Sequence, residues 1–172
     1  MRATWKVLAV LVLGIAILVL KSNAASGGGA EAFDKLKSLA GHWETDKTNK
    51  QKATLDLELT AGGTAVLEKF RLLENGKPVE MTTLYFLDGD QLKLTHYCVA
   101  GNQPTMKGSY APETRTITFE LASISNLQSP DDGHVYHAVM TFIDKDHFRA
   151  TWKFRKEQKD AFTEDMTYVR AK

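Results

Sequence analysis

The sequence predicts an all-β fold in which antiparallel strands follow one another as an up-and-down meander and close into a barrel of about eight to ten strands. Three observations support this prediction. Apolar and polar residues alternate with a period of two over much of the chain after residue 41. Turn-forming pairs that contain glycine separate the alternating segments at short intervals. The pattern also lacks the long helical segments that crossovers between parallel strands require.

Residues 1–24 have the pattern of a signal peptide. Two basic residues precede residues 7–20, which are a continuous run of apolar residues and one glycine. This length matches a signal-peptide core of about 7 to 15 residues and is shorter than the roughly 20 residues that span a bilayer. Ser22 and Ala24 predict cleavage after Ala24, and an uncleaved membrane anchor is the alternative. We therefore expect an exported bacterial protein, periplasmic or extracellular, that contacts a membrane only if the leader is retained.

Residues 25–30 are predicted to be a flexible tether, because they are small and rich in glycine. Residues 31–172 then form the barrel domain. This domain begins with a short helix, since Phe33, Leu36 and Leu39 recur at the spacing of one helix face. A helix of this length is not stable alone, so it is expected to pack on the barrel.

The strands follow from residue 43 onward. In residues 53–60, Leu55, Leu57 and Leu59 alternate with polar residues, as in a strand with one buried and one solvated face. A long meander removes its exposed edges most simply by closing, and the interior is then filled by side chains or shared with one small ligand. The predicted strands are residues 43–48, 53–60, 64–73, 79–87, 91–99, 105–110, 115–124, 135–143, 148–155 and 162–170.

Composition excludes some classes of function. Three of the 22 basic residues lie in the leader, which leaves 19 basic against 21 acidic residues, a charge of about −2. A nearly neutral domain without a basic cluster is not expected to bind nucleic acid. Cys98 is the only cysteine, so neither an intramolecular disulfide nor a paired-cysteine metal site is possible within one chain. The oligomeric state stays open.

The segment Leu39-Ala-Gly-His-Trp-Glu44 places Gly41 and Trp43 between the short helix and the first strand. This arrangement resembles the entry of lipocalins and other calycin barrels. The resemblance implies that Trp43 plugs the closed end and that Arg170, at the end of the last strand, stacks on it; stacking of a cation on an aromatic ring is favourable.

The C-terminal part of the chain, with Thr151-Trp152 and the run Met166-Thr-Tyr-Val-Arg170, resembles a bacterial domain family of unknown function (DUF1579-like). That family shares the calycin-type barrel. The resemblance implies the fold and a capacity for an apolar ligand, but no particular reaction.

Seven residues are expected to line a ligand cavity, because each lies on the more apolar face of its strand or is a polar group on that face. His96 and Cys98 share one face and suggest a Cys-His pair, but the sequence offers no third group to orient them. The alternative is a buried cysteine beside a hydrogen-bonded histidine, so no catalytic residue is predicted. The expected ligand-binding residues are Tyr85, Leu94, His96, Cys98, Met106, Phe119 and Trp152.

No metal or other cofactor is expected. His134 and His137 are three residues apart and therefore lie on opposite faces of a strand. Haem-binding relatives of calycin barrels use an axial histidine near the C-terminus, whereas here the last histidine is His147.

Three hypotheses of function remain. The leading one is an exported, non-enzymatic barrel that binds a small, largely apolar molecule. One alternative is a filled barrel that binds a protein partner in the cell envelope. The other is an enzyme that uses His96 on a small molecule, so enzymatic activity is left open.

Overall fold

The computed structural model describes residues 28–172, so the predicted leader and the first half of the predicted tether lie outside the described residues. Helix α1 (Gly29–Ser38) is followed by ten antiparallel strands that form a closed barrel. Each strand pairs with its neighbours along the chain, and β1 pairs with β10 to close the barrel. The predicted fold class is confirmed. The strands are β1 (Gly41–Thr45), β2 (Ala53–Thr60), β3 (Ala65–Glu74), β4 (Lys77–Asp88), β5 (Gln91–Tyr97), β6 (Gln103–Ala111), β7 (Thr116–Ser125), β8 (His134–Phe142), β9 (His147–Lys156) and β10 (Lys159–Arg170).

Most element boundaries differ from the sequence-based expectation by one to three residues, and two of these differences lie beside a local hydrogen bond. The helix starts at Gly29, two residues earlier than expected, and the Ala30 amide lies 3.4 Å from an Asp90 carboxylate oxygen. The first strand ends at Thr45 rather than at residue 48, because Asp46 starts a turn in which its carboxylate accepts the Thr48 amide at 2.7 Å. Within residues 28–172, no helix has the length and apolar character that crossing a bilayer requires.

The barrel has two different ends. At one end, called the closed end, α1 packs against β4, β5 and β6. The chain reverses there after each even-numbered strand up to β8. The opposite end, called the mouth, collects the loops that follow the odd-numbered strands. The loops of the mouth are residues 46–52, 75–76, 98–102, 126–133 and 157–158.

Trp43 lies at the closed end with no exposed surface. Its indole Nε1 donates to the Leu39 carbonyl at 2.8 Å, and the Arg170 guanidinium lies 4.1 Å from the centre of its ring. Gly41 has a φ of +138°, and a Cβ there would stand 2.6 Å from Arg170 Nη1. Only glycine therefore lets the chain pass beneath the arginine without strain.

The half of the interior near the closed end is packed with side chains. Leu92, Leu94, Met106 and Phe119 are all fully buried there. Gly108 makes room for this packing, because a Cβ at that position would lie 2.7 Å from the Phe119 ring and 2.9 Å from the Leu92 side chain. The space inside the barrel is therefore confined to the other half.

Candidate functional site

A cavity of about 490 Å³ occupies the half of the barrel next to the mouth. This volume is within the range of about 300 to 1,000 Å³ that is usual for sites of small molecules. The wall is formed by residues of β2 to β5 and β8 to β10 and by two loops of the mouth. Val99 and Phe162 belong to this wall and are 66% and 56% exposed. They form an apolar rim through which a ligand can enter.

Strand alternation explains which side chains face the cavity. Every second residue of β3 from Glu68 to Glu74 lies in the wall. The same period places Ala150, Trp152 and Phe154 of β9 there. Most of the wall is apolar or aromatic, so its few polar groups stand out.

Glu68 is the most deeply buried acidic group of the wall, with only 4% of its surface exposed. Tyr85 donates its hydroxyl to Glu68 Oε2 at 2.7 Å, and Thr83 donates to Oε1 at 3.2 Å. Burial raises the pKa of Glu68 to about 7, although both hydrogen bonds act in the opposite direction. This carboxyl group is therefore close to half ionised at neutral pH.

His96 is joined to Glu68 through Thr83. The Thr83 hydroxyl oxygen lies 2.9 Å from His96 Nδ1, and the imidazole ring lies 5.1 Å from the ring of Trp152. Burial lowers the pKa of His96 to about 4, so the imidazole is neutral at pH 7. In the described part of the chain, its other nitrogen, Nε2, has no hydrogen-bond partner.

The three side chains form a relay with two arrangements, because a hydroxyl donates only one proton. When Glu68 is ionised, Thr83 donates to it and His96 Nδ1 donates to Thr83, which leaves Nε2 as an acceptor. When Glu68 carries a proton, it can donate to Thr83, Thr83 then donates to Nδ1, and Nε2 carries the hydrogen. The hydrogen-bonding character of Nε2 is thus tied to the ionisation of Glu68.

Two further acidic groups lie in the wall. Glu164 of β10 is partly buried, and its pKa is raised by burial and by the charge of Glu74. Glu74 is the last residue of β3, at the mouth. Across residues 28–172, the wall of this cavity includes three glutamates and neither lysine nor arginine.

The seven expected ligand-binding residues fall into two groups. His96, Cys98 and Trp152 lie in the wall of the cavity. Ligand binding by any of the seven stays a prediction. The other four, Tyr85, Leu94, Met106 and Phe119, are fully buried in the core.

Those four residues lie deeper because the interior is filled towards the closed end. Leu94 and Met106 are paired across β5 and β6, and the ring of Tyr85 lies 5.7 Å from that of Phe119. Tyr85 still contributes to the cavity through its hydrogen bond to Glu68.

Cys98 contacts sulfur rather than a base. Its Sγ lies 3.9 Å from Met81 Sδ, and burial raises the pKa of the thiol. A protonated thiol is a poor nucleophile.

The three glutamates of the wall were not among the ligand-binding residues expected from the sequence. Glu68 follows Leu67 and precedes Lys69, so the local pattern does not show a clear alternation. The sequence does contain a sign that Glu68 is buried. Val66 and Phe70, two residues away on either side, are apolar and share a strand face with position 68. A glutamate between two apolar residues of the same face indicates a buried carboxyl group.

Comparison with known proteins supports the fold. No family model matches the chain, and no curated protein is significantly similar to it in sequence. Among solved structures, that of Rv2717c from M. tuberculosis is similar, with a TM-score of 0.55 and 18% sequence identity. The similarity covers 82% of this chain and 98% of that chain. At this level of identity the likeness establishes a shared barrel fold and nothing about activity.

Proposed function

We propose that this protein is an exported, non-enzymatic binding protein of the calycin type, whose barrel holds a small, largely apolar ligand. The observation that supports this proposal is the cavity of about 490 Å³ behind an apolar rim. Clefts of this size with a few converging polar groups are the usual form of small-molecule sites. Export, and membership of the DUF1579-like family, stay predictions from the sequence.

The cavity favours ligand binding over the filled-barrel alternative. A barrel that served only as a scaffold for a protein partner would gain stability from filling its interior, because empty space forfeits dispersion contacts. Here the half next to the mouth keeps apolar side chains such as Phe70 and Phe154 facing open space. A ligand that covers these surfaces would recover the lost contacts.

Two adjacent leucines of β3 provide a matched test. Leu72 faces the cavity, whereas Leu73 points away from it and is 65% exposed. We expect Leu72→Trp to fill part of the cavity and weaken binding of the neutral apolar probe 1-naphthylmethanol by about tenfold or more. Leu73→Trp adds the same side chain outside the barrel and should leave the affinity unchanged. Isothermal titration calorimetry measures both.

Two outcomes would contradict the proposal. One is that the unmodified protein binds neither 1-naphthylmethanol nor other small apolar or amphipathic probes. The other is that both tryptophan variants weaken binding equally, which would place the probe on the outer surface. Thermal unfolding of each variant shows that the comparison is made between folded proteins.

A second candidate function is an acid–base enzyme that uses His96 on a small carbonyl or ester compound. The observation that favours it is the pKa of about 7 for Glu68, since groups that titrate near the working pH are effective general acids and bases. A panel of such compounds tests it with the unmodified protein and with His96→Gln. Turnover that the substitution abolishes would support an enzyme, and an absence of turnover would reject it.

A further inference from the structure

We propose that the ligand is an amphipathic amine, with a protonated amino group bound at Glu68 and His96 and an apolar body held by the aromatic wall. This inference rests on the proposed function and specifies the chemical class of the ligand. It follows from the charges, the aromatic surfaces and the relay of the cavity.

The charges of the wall have one sign. Glu68, Glu164 and Glu74 all face the cavity, and the wall within the described residues has no lysine or arginine to neutralise them. Glu68 and Glu74 are six residues apart on β3, which is about 20 Å along a strand. Acidic groups are thus present from the mouth to the inner part of the cavity. This distribution attracts cations and repels anions such as fatty acids.

The aromatic wall suits the body of such a ligand. Phe70, Trp152 and Phe154 present aromatic surfaces to the cavity. Aromatic faces bind hydrocarbon through apolar contact and also attract an ammonium group, with tryptophan the strongest. Trp152 lies beside His96, so an ammonium group at the imidazole would also be near the indole.

The relay allows Glu68 and His96 to act as hydrogen-bond acceptors at the same time. An ammonium group only donates hydrogen bonds. When Glu68 is ionised, both its carboxylate and His96 Nε2 act as acceptors, because Thr83 orients the Nδ1 hydrogen towards itself. A bound cation favours this arrangement, since it stabilises the charged form of Glu68. A ligand with an anionic head group would meet a negative charge instead.

Three probes that share one apolar body test the assignment: 1-naphthylmethylamine, 1-naphthylmethanol and 1-naphthoate. Calorimetric titration of the protein at pH 7.5 should show the amine binding about tenfold tighter than the alcohol, as expected for one charge-assisted hydrogen bond. The naphthoate should bind more weakly than the alcohol. This comparison uses only the unmodified protein, so its result does not depend on whether a variant folds.

A matched pair of substitutions locates the amino group. Glu68→Gln keeps the shape of the side chain and removes its charge, so affinity for the amine should fall about tenfold while affinity for the alcohol is kept. Glu113→Gln makes the same chemical change on an exposed residue of the loop between β6 and β7 at the closed end and should alter neither affinity.

Proton release provides an independent readout. Besides Glu68, the titratable side chains of the wall are Glu74, His96, Cys98, Glu164 and Tyr168, and Tyr85 donates a hydrogen bond to Glu68. The pKa values of Tyr85 and Tyr168 are raised well above 10, so neither tyrosine ionises near pH 7. Amine binding at pH 6.5 should therefore expel a proton mainly from Glu68, and the measured heat should depend on the ionisation enthalpy of the buffer. In Glu68→Gln this dependence should largely disappear.

The outcomes separate the two proposals. If the alcohol or the naphthoate binds as tightly as the amine, the assignment of an amine is overturned, while the proposed binding function stands. If the amine binds tightest but Glu68→Gln and Glu113→Gln behave alike, the location at Glu68 is overturned. If none of the three probes binds, the inference fails, and the proposed function fails with it if other small apolar and amphipathic probes do not bind either.

Discussion

At the scale of single residues, the barrel keeps two ionisable groups neutral by burial. Glu68 has a pKa raised to about 7 and His96 a pKa lowered to about 4. Between pH 4 and pH 7 neither Glu68 nor His96 carries a full charge. The Thr83 hydroxyl is hydrogen-bonded to both side chains. Because ionisation in the unfolded chain follows the ordinary pKa values, both groups make stability depend on pH, with opposite signs.

Glu68 and His96 should change the free energy of unfolding in opposite directions as pH rises. The neutral form of Glu68 stabilises the fold below pH 4.5, and this contribution is lost as pH rises to about 7. For His96, stability instead rises with pH from about 4 to 6.5. The two effects largely cancel between pH 4.5 and 6.5, so the unmodified protein should show little pH dependence from this pair.

Single substitutions should reveal each effect. Glu68→Gln removes a contribution that falls with pH, so the free energy of unfolding relative to the unmodified protein should rise by about 3 kcal/mol from pH 4.5 to 7. His96→Gln should give the reverse, a relative fall of about 3 kcal/mol from pH 4 to 6.5, because it removes a contribution that rises with pH. Denaturant unfolding at a series of pH values measures both.

The aspartates whose pKa is lowered serve as an internal control. Asp165, for example, has a pKa lowered by its hydrogen bond to Arg149, so it titrates below this range in all three proteins. If both variants keep the pH profile of the unmodified protein, the two groups are not neutral in the folded state and the relay is not as described.

At the scale of elements, α1 is attached to the barrel through the last strand. Arg170 donates from Nη1 to the Ala40 carbonyl at 2.8 Å and from Nη2 to the Ser38 carbonyl at 3.1 Å. These carbonyls lie at the C-terminal end of the helix, where backbone acceptors lack partners and a positive charge is favourable. The guanidinium also covers Trp43. The Arg170 side chain therefore provides hydrogen-bond donors for carbonyls at the end of the helix and also covers the ring of Trp43.

We predict that Arg170→Lys destabilises the protein by about 1 to 2 kcal/mol, because lysine keeps the charge but cannot stack and donate in one plane. Thermal unfolding measures the loss, and hydrogen exchange should show faster exchange of the Leu39 and Ala40 amides. Arg115→Lys, the same change in an exposed turn at the same end, should have little effect. Equal losses in the two variants would mean that the stacking and the two hydrogen bonds contribute nothing specific.

At the scale of the whole molecule, the barrel is closed at a short seam between β1 and β10. Their pairing runs only from Trp43 opposite Arg170 to Thr45 opposite Tyr168. Asn49 extends the seam beyond the strand, since its Nδ2 donates to the Thr167 carbonyl at 2.7 Å. A short ladder between elements far apart in sequence is a natural place for local opening.

Asn49→Ala should therefore open the seam more often. We expect the β1 amides that bond across the seam to exchange about tenfold faster, as the loss of about one net hydrogen bond implies, with smaller changes in β9. Asn126→Ala removes a comparable side-chain bond, to the Gly101 carbonyl, and should leave β1 unaffected. Uniform acceleration of all strands by Asn49→Ala would show that the seam opens only with the whole barrel.

The fold was predictable because its signals are local. The alternation of Leu55 and Leu57 and turns such as Asn75-Gly76 depend on residues close together in sequence. The cavity was not predictable in the same way, because it depends on how far core side chains fill the barrel. Phe119 and Trp152 look alike in the sequence, yet one packs in the closed half and the other lines open space.

Both ends of the described chain leave the barrel at the closed end. Residue 28 lies beside Asp90, and the Ala171 amide bonds to the His42 carbonyl. The mouth is at the opposite pole, so an attachment made at residue 28 or at residue 172 lies away from the entrance. The protein can thus be immobilised on a sensor surface through a tag joined at residue 172 and still exchange small molecules freely with the solution.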